Sequence, residues 1–153
     1  MTAQPVSTGT VGIVLVSHSA ELAAGAAHLA AQVSGGTVTI IAAGGTDDGE
    51  LGTSAAKVEC GLRLAESGLG VVVLPDLGSA VLTVRAVLED EDPAANVAMA
   101  DAPFVEGAVA ATVTAAAGGD IKAVAAAAEE ARNAREAVAA LIAILGEATK
   151  VGG

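Results

Sequence analysis

Short apolar runs alternate along the chain with longer stretches in which alanine, leucine and valine are broken by polar side chains. The first run, residues 11–16, is largely β-branched and bounded by polar residues, the pattern of a strand buried on both faces. Ser17, His18 and Ser19 stop it and offer hydroxyls to cap a helix over about 20–33, which Gly35 and Gly36 close. Residues 38–41 predict a second strand, and 44–49 (Gly-Gly-Thr-Asp-Asp-Gly) a polar loop. Thr53 or Ser54 can cap a helix through about 65, with Gly68 and Gly70 beyond its end. A third uninterrupted run fills 71–74, and residues 75–79 lead into a helix reaching about 88. The acidic cluster 89–92 with Pro93 closes that helix as a solvated loop. Residues 96–99 predict a short fourth strand, and Pro103 suits the first turn of a helix to about 117. Gly118 and Gly119 separate it from an Ala-rich helix over 121–145, whose exposed face is marked by Glu129, Glu130, Arg132, Arg135 and Glu136.

Strand and helix therefore alternate four times. The expected fold class is α/β: a mostly parallel sheet of four strands, or slightly more, with helices on both faces and right-handed crossovers. The chain reads as one domain over 1–153 with its core at about 11–145. In such sheets ligands gather beyond the carboxyl ends of the strands. Those ends lead in turn into Ser17-His18-Ser19, Gly44 to Asp48, Asp76 to Ser79, and Asp101 to Pro103.

Composition narrows the partners. Eighteen acidic against seven basic residues give a formal charge of −11, which disfavours nucleic acid and anionic lipid. The chain is 53% hydrophobic but 1% aromatic, with Phe104 the one ring of that class. No charged side chain lies between Glu21 and Asp47, yet that stretch is too alanine-rich and too broken by glycine to predict a membrane span. Cys60 has no partner for an internal disulfide, there is no Cys/His zinc cluster, and the first nine residues lack a secretion signal. A cytoplasmic protein without a bound metal is the expectation.

At the predicted edge His18 is the one imidazole. A neutral imidazole is a nucleophile, and a carboxylate on its other nitrogen fixes the tautomer and stabilises the cation formed on attack. Asp76, at the third strand end, is the candidate for that carboxylate. Ser17, Ser19, Thr46 and Ser79 could donate hydrogen bonds, and helix N-termini add backbone N–H groups suited to a phosphoryl group. His18 could equally be a cap, whereas His28 reads as a surface or packing residue. Asp47 and Asp48 read as turn residues, Glu106 as an acid favoured at a helix start, Cys60 as a small core residue, and Arg85 as a surface cation. No P-loop, dinucleotide fingerprint or G-x-S-x-G elbow is present.

Residues 13–19 (Ile-Val-Leu-Val-Ser-His-Ser), 42–48 with 51–53, 76–80 (Asp-Leu-Gly-Ser-Ala) and 102–107 occur in order at four strand ends. Together they resemble the DhaM family, the phosphoryl-donor subunits of the phosphotransferase-system-dependent dihydroxyacetone kinase, and more broadly the mannose-type EIIA domain. The resemblance covers about 11–117. It implies an EIIA-mannose-like fold and a phosphotransferase role in which His18 takes a phosphoryl group from phospho-HPr. The group then passes to ADP on the DhaL subunit, which with DhaK phosphorylates dihydroxyacetone. Asp76 matches the supporting aspartate, and Ser79 with the backbone at Gly78 is expected to hold the phosphoryl oxygens. A homodimer is implied, with no cofactor on this subunit and no HPr-like or enzyme-I-like domain. The alternatives are an EIIA component of a mannose-type sugar transporter and a non-catalytic regulatory module.

Overall fold

The fold is that of a computed structural model, which describes residues 9–92 and 95–133. Its elements alternate as β1 (Gly12–Ser17), α1 (Ala20–Ser34), β2 (Ile40–Gly44), α2 (Ala55–Ala65), β3 (Val71–Pro75), α3 (Gly78–Glu89) and β4 (Val97–Met99), followed by α4 (Phe104–Ala116) and α5 (Ile121–Glu130). The four strands form one sheet in the order β2-β1-β3-β4, and every pairing is parallel. The expected α/β architecture is what the chain adopts.

Alternation along the two central strands divides the interior into two layers. Ile13 and Leu15 of β1, with Val72 and Leu74 of β3, pack against α1, α4 and α5. Val14 and Val16, with Val71 and Val73, face the other way onto α2 and α3. All eight are fully buried, and each buried Val, Leu or Ile side chain contributes about 1.5–3 kcal/mol. Small residues line the helices on the first face: Ala23, Ala26 and Ala30 on α1, and Ala108, Ala111 and Ala115 on α4. With the partly buried Phe104 as the one aromatic packed against it, this core fills its space by letting backbones approach closely.

Three expectations need adjustment. The second strand runs Ile40–Gly44 rather than 38–41, because the ladder with β1 continues past the β-branched run to pair Ser17 with Gly44. Glycine is required there: a Cβ on Gly44 would sit 2.6 Å from Ser19 O and 2.7 Å from Ala20 Cα. Cys60, expected in the core, is exposed. Val58, Gly61, Leu62 and Ala65 are the residues that α2 buries, and Cys60 falls outside that stripe. In the last helix, regular structure runs over Ile121–Glu130, and Arg135, Glu136 and the rest of the expected 121–145 helix lie outside the described residues, as does Pro93. No helix among the described residues is long and apolar enough to cross a membrane.

Candidate active site

The site begins with strand register. Val16 of β1 stands opposite Pro75 of β3, so the two chains leave the sheet side by side, and Asp76 N–H donates to Val16 O at 2.9 Å. This brings His18 and Asp76 together although 58 residues separate them. The carboxylate accepts four hydrogen bonds. Oδ2 takes Ser17 Oγ–H at 2.8 Å and His18 N–H at 3.1 Å. Oδ1 takes Leu77 N–H at 2.7 Å and lies 2.9 Å from His18 Nδ1. Burial pushes the Asp76 carboxyl up, but the hydrogen bonds from Ser17, the His18 ring, His18 N–H and Leu77 N–H outweigh it and hold the group below the ordinary carboxylate value. The ionised carboxylate can only accept, so the hydrogen-bond pattern assigns the ring proton to Nδ1 and leaves a lone pair on Nε2.

That lone pair faces the start of α3. Ser79 Oγ is the hydrogen-bond partner of His18 Nε2, and the hydroxyl is the donor in this tautomer. Helices α1, α2 and α5 are capped by Ser19, Ser54 and Asp120, whereas α3, like α4, has no side-chain cap. The first N–H groups of α3, including those of Gly78 and Ser79, are thus left without a side-chain acceptor beside the His18 ring. Uncapped N–H groups and the positive end of the helix dipole form a favourable setting for an anion. The His18 side chain is 23% exposed and Asp76 only 7%, so the supporting carboxylate is sheltered while the ring edge reaches solvent.

The structure brings His18, Asp76, Ser17, Gly78 and Ser79 to one place, with different tasks. Ser17 is fully buried. Its hydroxyl donates to Asp76 and accepts Ser19 N–H at 3.0 Å, which turns it toward the carboxylate rather than toward an incoming group. Ser19 caps α1 by accepting Leu22 N–H at 3.2 Å. Thr46 stands apart: its hydroxyl accepts Glu50 N–H at 3.0 Å, and none of its hydrogen bonds among the described residues reaches His18 or Asp76. Asp47 is bonded by Ser54 Oγ–H, in keeping with a turn residue. His28 and Arg85 are exposed. Gly52 carries no chemistry in its side chain, yet its N–H donates to His18 O at 2.9 Å and fixes the His18 backbone from the β2–α2 loop. Its φ of +145 suits glycine, and that backbone demand is the one sequence signal that could have marked it. Among the described residues no cluster of three or more His, Cys, Asp or Glu could hold a metal ion.

The EIIA-man family, described as the PTS system fructose IIA component, matches residues 12–125, a stretch that contains every residue of this site. The phosphoryl donor subunit DhaM of PEP-dependent dihydroxyacetone kinase 2 from Listeria innocua is 37% identical over 105 residues, covering 67% of this chain and 84% of the relative. The chain belongs to the EIIA-man family, as a DhaM-type member. The DhaM subunit of Escherichia coli K12 is 41% identical over 116 residues, covering 72% of this chain and 25% of the relative. This DhaM-type chain therefore spans about a quarter of the Escherichia coli relative and most of the Listeria one. The crystal structure of EF1359, a protein of unknown function, superposes with a TM-score of 0.72 at 32% identity, covering 79% of this chain and 94% of that one.

Proposed function

We propose that the chain is a phosphohistidine carrier that supplies a dihydroxyacetone kinase. It accepts a phosphoryl group from phospho-HPr and passes it to ADP bound on a DhaL subunit, which acts with DhaK on dihydroxyacetone. The observation that carries this reading is the pairing of His18 Nδ1 with Asp76 at 2.9 Å, which directs the Nε2 lone pair at the uncapped start of α3. The names of the DhaM relatives, phosphoryl donor subunits of a dihydroxyacetone kinase, support the choice of that kinase as the destination.

In the first step Nε2 of His18 attacks phosphorus in line, the N–P bond of the donor histidine breaks, and its electron pair returns to the donor ring. The Nδ1 proton stays between His18 and Asp76, whose negative charge stabilises the positive ring. In the second step a terminal phosphate oxygen of ADP attacks, the bond from phosphorus to Nε2 breaks, and neutral His18 is restored. Transfer through a loose transition state needs positioning and charge stabilisation more than covalent assistance. Ser79 and the N–H groups at Gly78 and Ser79 provide these for the phosphoryl oxygens. The steps ask no metal or nucleotide of this chain, because ADP and its cation belong to the acceptor. A cytoplasmic homodimer completes the reading.

Incubation with phosphoenolpyruvate, enzyme I and HPr should label one acid-labile, base-stable site. His18→Ala should stay unlabelled while His28→Ala labels normally. Addition of DhaL with ADP, DhaK and dihydroxyacetone should discharge the label. Discharge to a transporter IIB domain instead selects the sugar-transporter reading, and absence of labelling selects a regulatory module.

A further inference from the structure

Two N–H groups of the β2–α2 loop reach the backbone of the site. Gly45 N–H donates to Ser17 O at 3.1 Å, and Gly52 N–H to His18 O at 2.9 Å. His18 N–H is held instead by Asp76 Oδ2 at 3.1 Å. The N–H and the carbonyl of His18 are thus pinned by two different segments, the end of β3 and this loop. Together they set the direction in which the side chain leaves the backbone. The ring depends on that direction, because Nδ1 has to meet Asp76 Oδ1 while Nε2 meets Ser79 Oγ.

Gly52 is in turn held by Thr46. Thr46 is tied in three ways to the middle of its own loop: its N–H donates to Glu50 O at 2.9 Å, its carbonyl accepts Gly49 N–H at 3.0 Å, and its hydroxyl accepts Glu50 N–H at 3.0 Å. Its methyl group lies against Gly52. A Cβ on Gly52 would stand 2.7 Å from Thr46 Cγ2, with no other heavy atom outside the neighbouring residues within 4 Å. Gly45, which precedes Thr46, bridges in parallel to Thr53, which follows Gly52, so the two limbs of the loop close where its two donors stand. A hydroxyl that accepts from its own loop is ordinary turn chemistry. A methyl packed on the residue that holds the His18 carbonyl is a link out of the turn and into the site.

We infer that Thr46 is a positioning residue for His18, acting through Gly52 and the His18 carbonyl rather than on the phosphoryl group. The inference rests on the phosphoryl-carrier reading of His18. In that reading the ring has to keep one tautomer and present Nε2 in line with phosphorus, and a displacement of about 1 Å can cost about 10²-fold in rate. Thr46 and Gly52 bring no charge to the reaction. Their contribution is the aim of the ring.

The test uses the full chain and two readouts: nitrogen NMR of the His18 ring with no donor present, and single-turnover labelling by phosphoramidate, a small N–P donor. Thr46→Ala removes the hydroxyl and the methyl and changes no core side chain. Labelling should slow by about tenfold or more, and the ring should populate the Nε2–H tautomer beside the Nδ1–H form. Thr46→Ser returns an acceptor to Glu50 N–H and should recover part of both. In a double-mutant cycle with Gly52→Ala the effects should be strongly non-additive, because each substitution disrupts the same contact. Thr46→Ala that lowers the Tm but leaves the ring tautomer and labelling as in the wild type would make Thr46 a structural loop residue and overturn the inference. Additive effects would overturn the route through Gly52. If Gly52→Ala does not fold, the ring tautomer in Thr46→Ala and its return in Thr46→Ser decide the matter. Wild type that phosphoramidate cannot label would overturn the carrier reading, and the ring tautomer in Thr46→Ala would still decide whether Thr46 positions His18.

Discussion

Replacing Asp76 by asparagine tests the central geometry with nearly unchanged volume. The wild-type carboxylate accepts on both oxygens, from Ser17 Oγ and His18 N on one side and from His18 Nδ1 and Leu77 N on the other. An amide can accept on one side only. If its oxygen keeps Ser17 and His18 N–H, its NH2 group faces Nδ1 and Leu77 N–H. Nδ1 must then accept, the ring proton moves to Nε2, and Leu77 N–H loses its partner. If the amide turns over, Ser17 Oγ can rotate to accept from the NH2 group, but His18 N–H is orphaned. Hydrogen bonds to a charged group are worth about 1.5–3 kcal/mol each, so a loss of about 2–4 kcal/mol in stability is expected from urea unfolding. The first orientation also removes the nucleophilic lone pair, and the wrong imidazole tautomer costs about 10⁴-fold in a Ser-His-Asp triad. Single-turnover transfer from phospho-HPr should slow by about that factor, and nitrogen NMR of the ring should report the proton on Nε2 instead of Nδ1. Transfer within about tenfold of the wild type, with the proton still on Nδ1, would refute the role given to Asp76.

Three further outcomes are expected from the same contacts. Because the Asp76 carboxyl titrates below its ordinary value when folded, its contribution to stability is present above the ordinary value near pH 4. It is lost as the pH falls through the lowered one. The gap in urea midpoint between wild type and Asp76→Asn should shrink on acidification, and a widening gap would contradict the sign. Gly44→Ala forces a methyl against Ser19 O and Ala20 Cα at 2.6 and 2.7 Å. About 1–3 kcal/mol of destabilisation and a lower Tm are expected by calorimetry, and an unchanged Tm would show that α1 yields freely. Ser79→Ala should keep the Tm of the wild type but slow phosphoryl transfer by about 10–100-fold, with partial rescue in Ser79→Thr. Full-speed transfer in Ser79→Ala removes the hydroxyl from the reaction.

The central strands were legible because burial on both faces disfavours polar residues: 12–17 is its apolar run shifted by one residue, and 71–75 adds one residue to its own. The pairing of His18 with Asp76 was legible for a related reason, since adjacent parallel strands deliver their last residues to one edge. The second strand was harder. Its C-terminal half, Ala42-Ala43-Gly44, has low strand propensity, and pairing with β1 together with burial of Ala43 holds it in the sheet. Cys60 was misplaced because α2 exposes apolar residues as well, Leu64 among them, so residue type does not mark its buried stripe of Val58, Gly61, Leu62 and Ala65. Ser17 and Thr46 show the limit of residue type as a guide: each is a hydroxyl after a strand, but one donates to Asp76 and the other accepts from its own loop. Which partner a hydroxyl finds is decided by rotamer and loop closure, and residue spacing does not record either.

His18 and Asp76 extend from two neighbouring central strands whose side chains are fully shielded from solvent, whereas Leu51 and Leu82 belong to a peripheral loop and the outer surface of a helix. The paired ring and carboxylate thus hang from the part of the chain with the least freedom to shift. Substitutions of such outward side chains can accumulate through evolution while His18 and Asp76 keep their alignment.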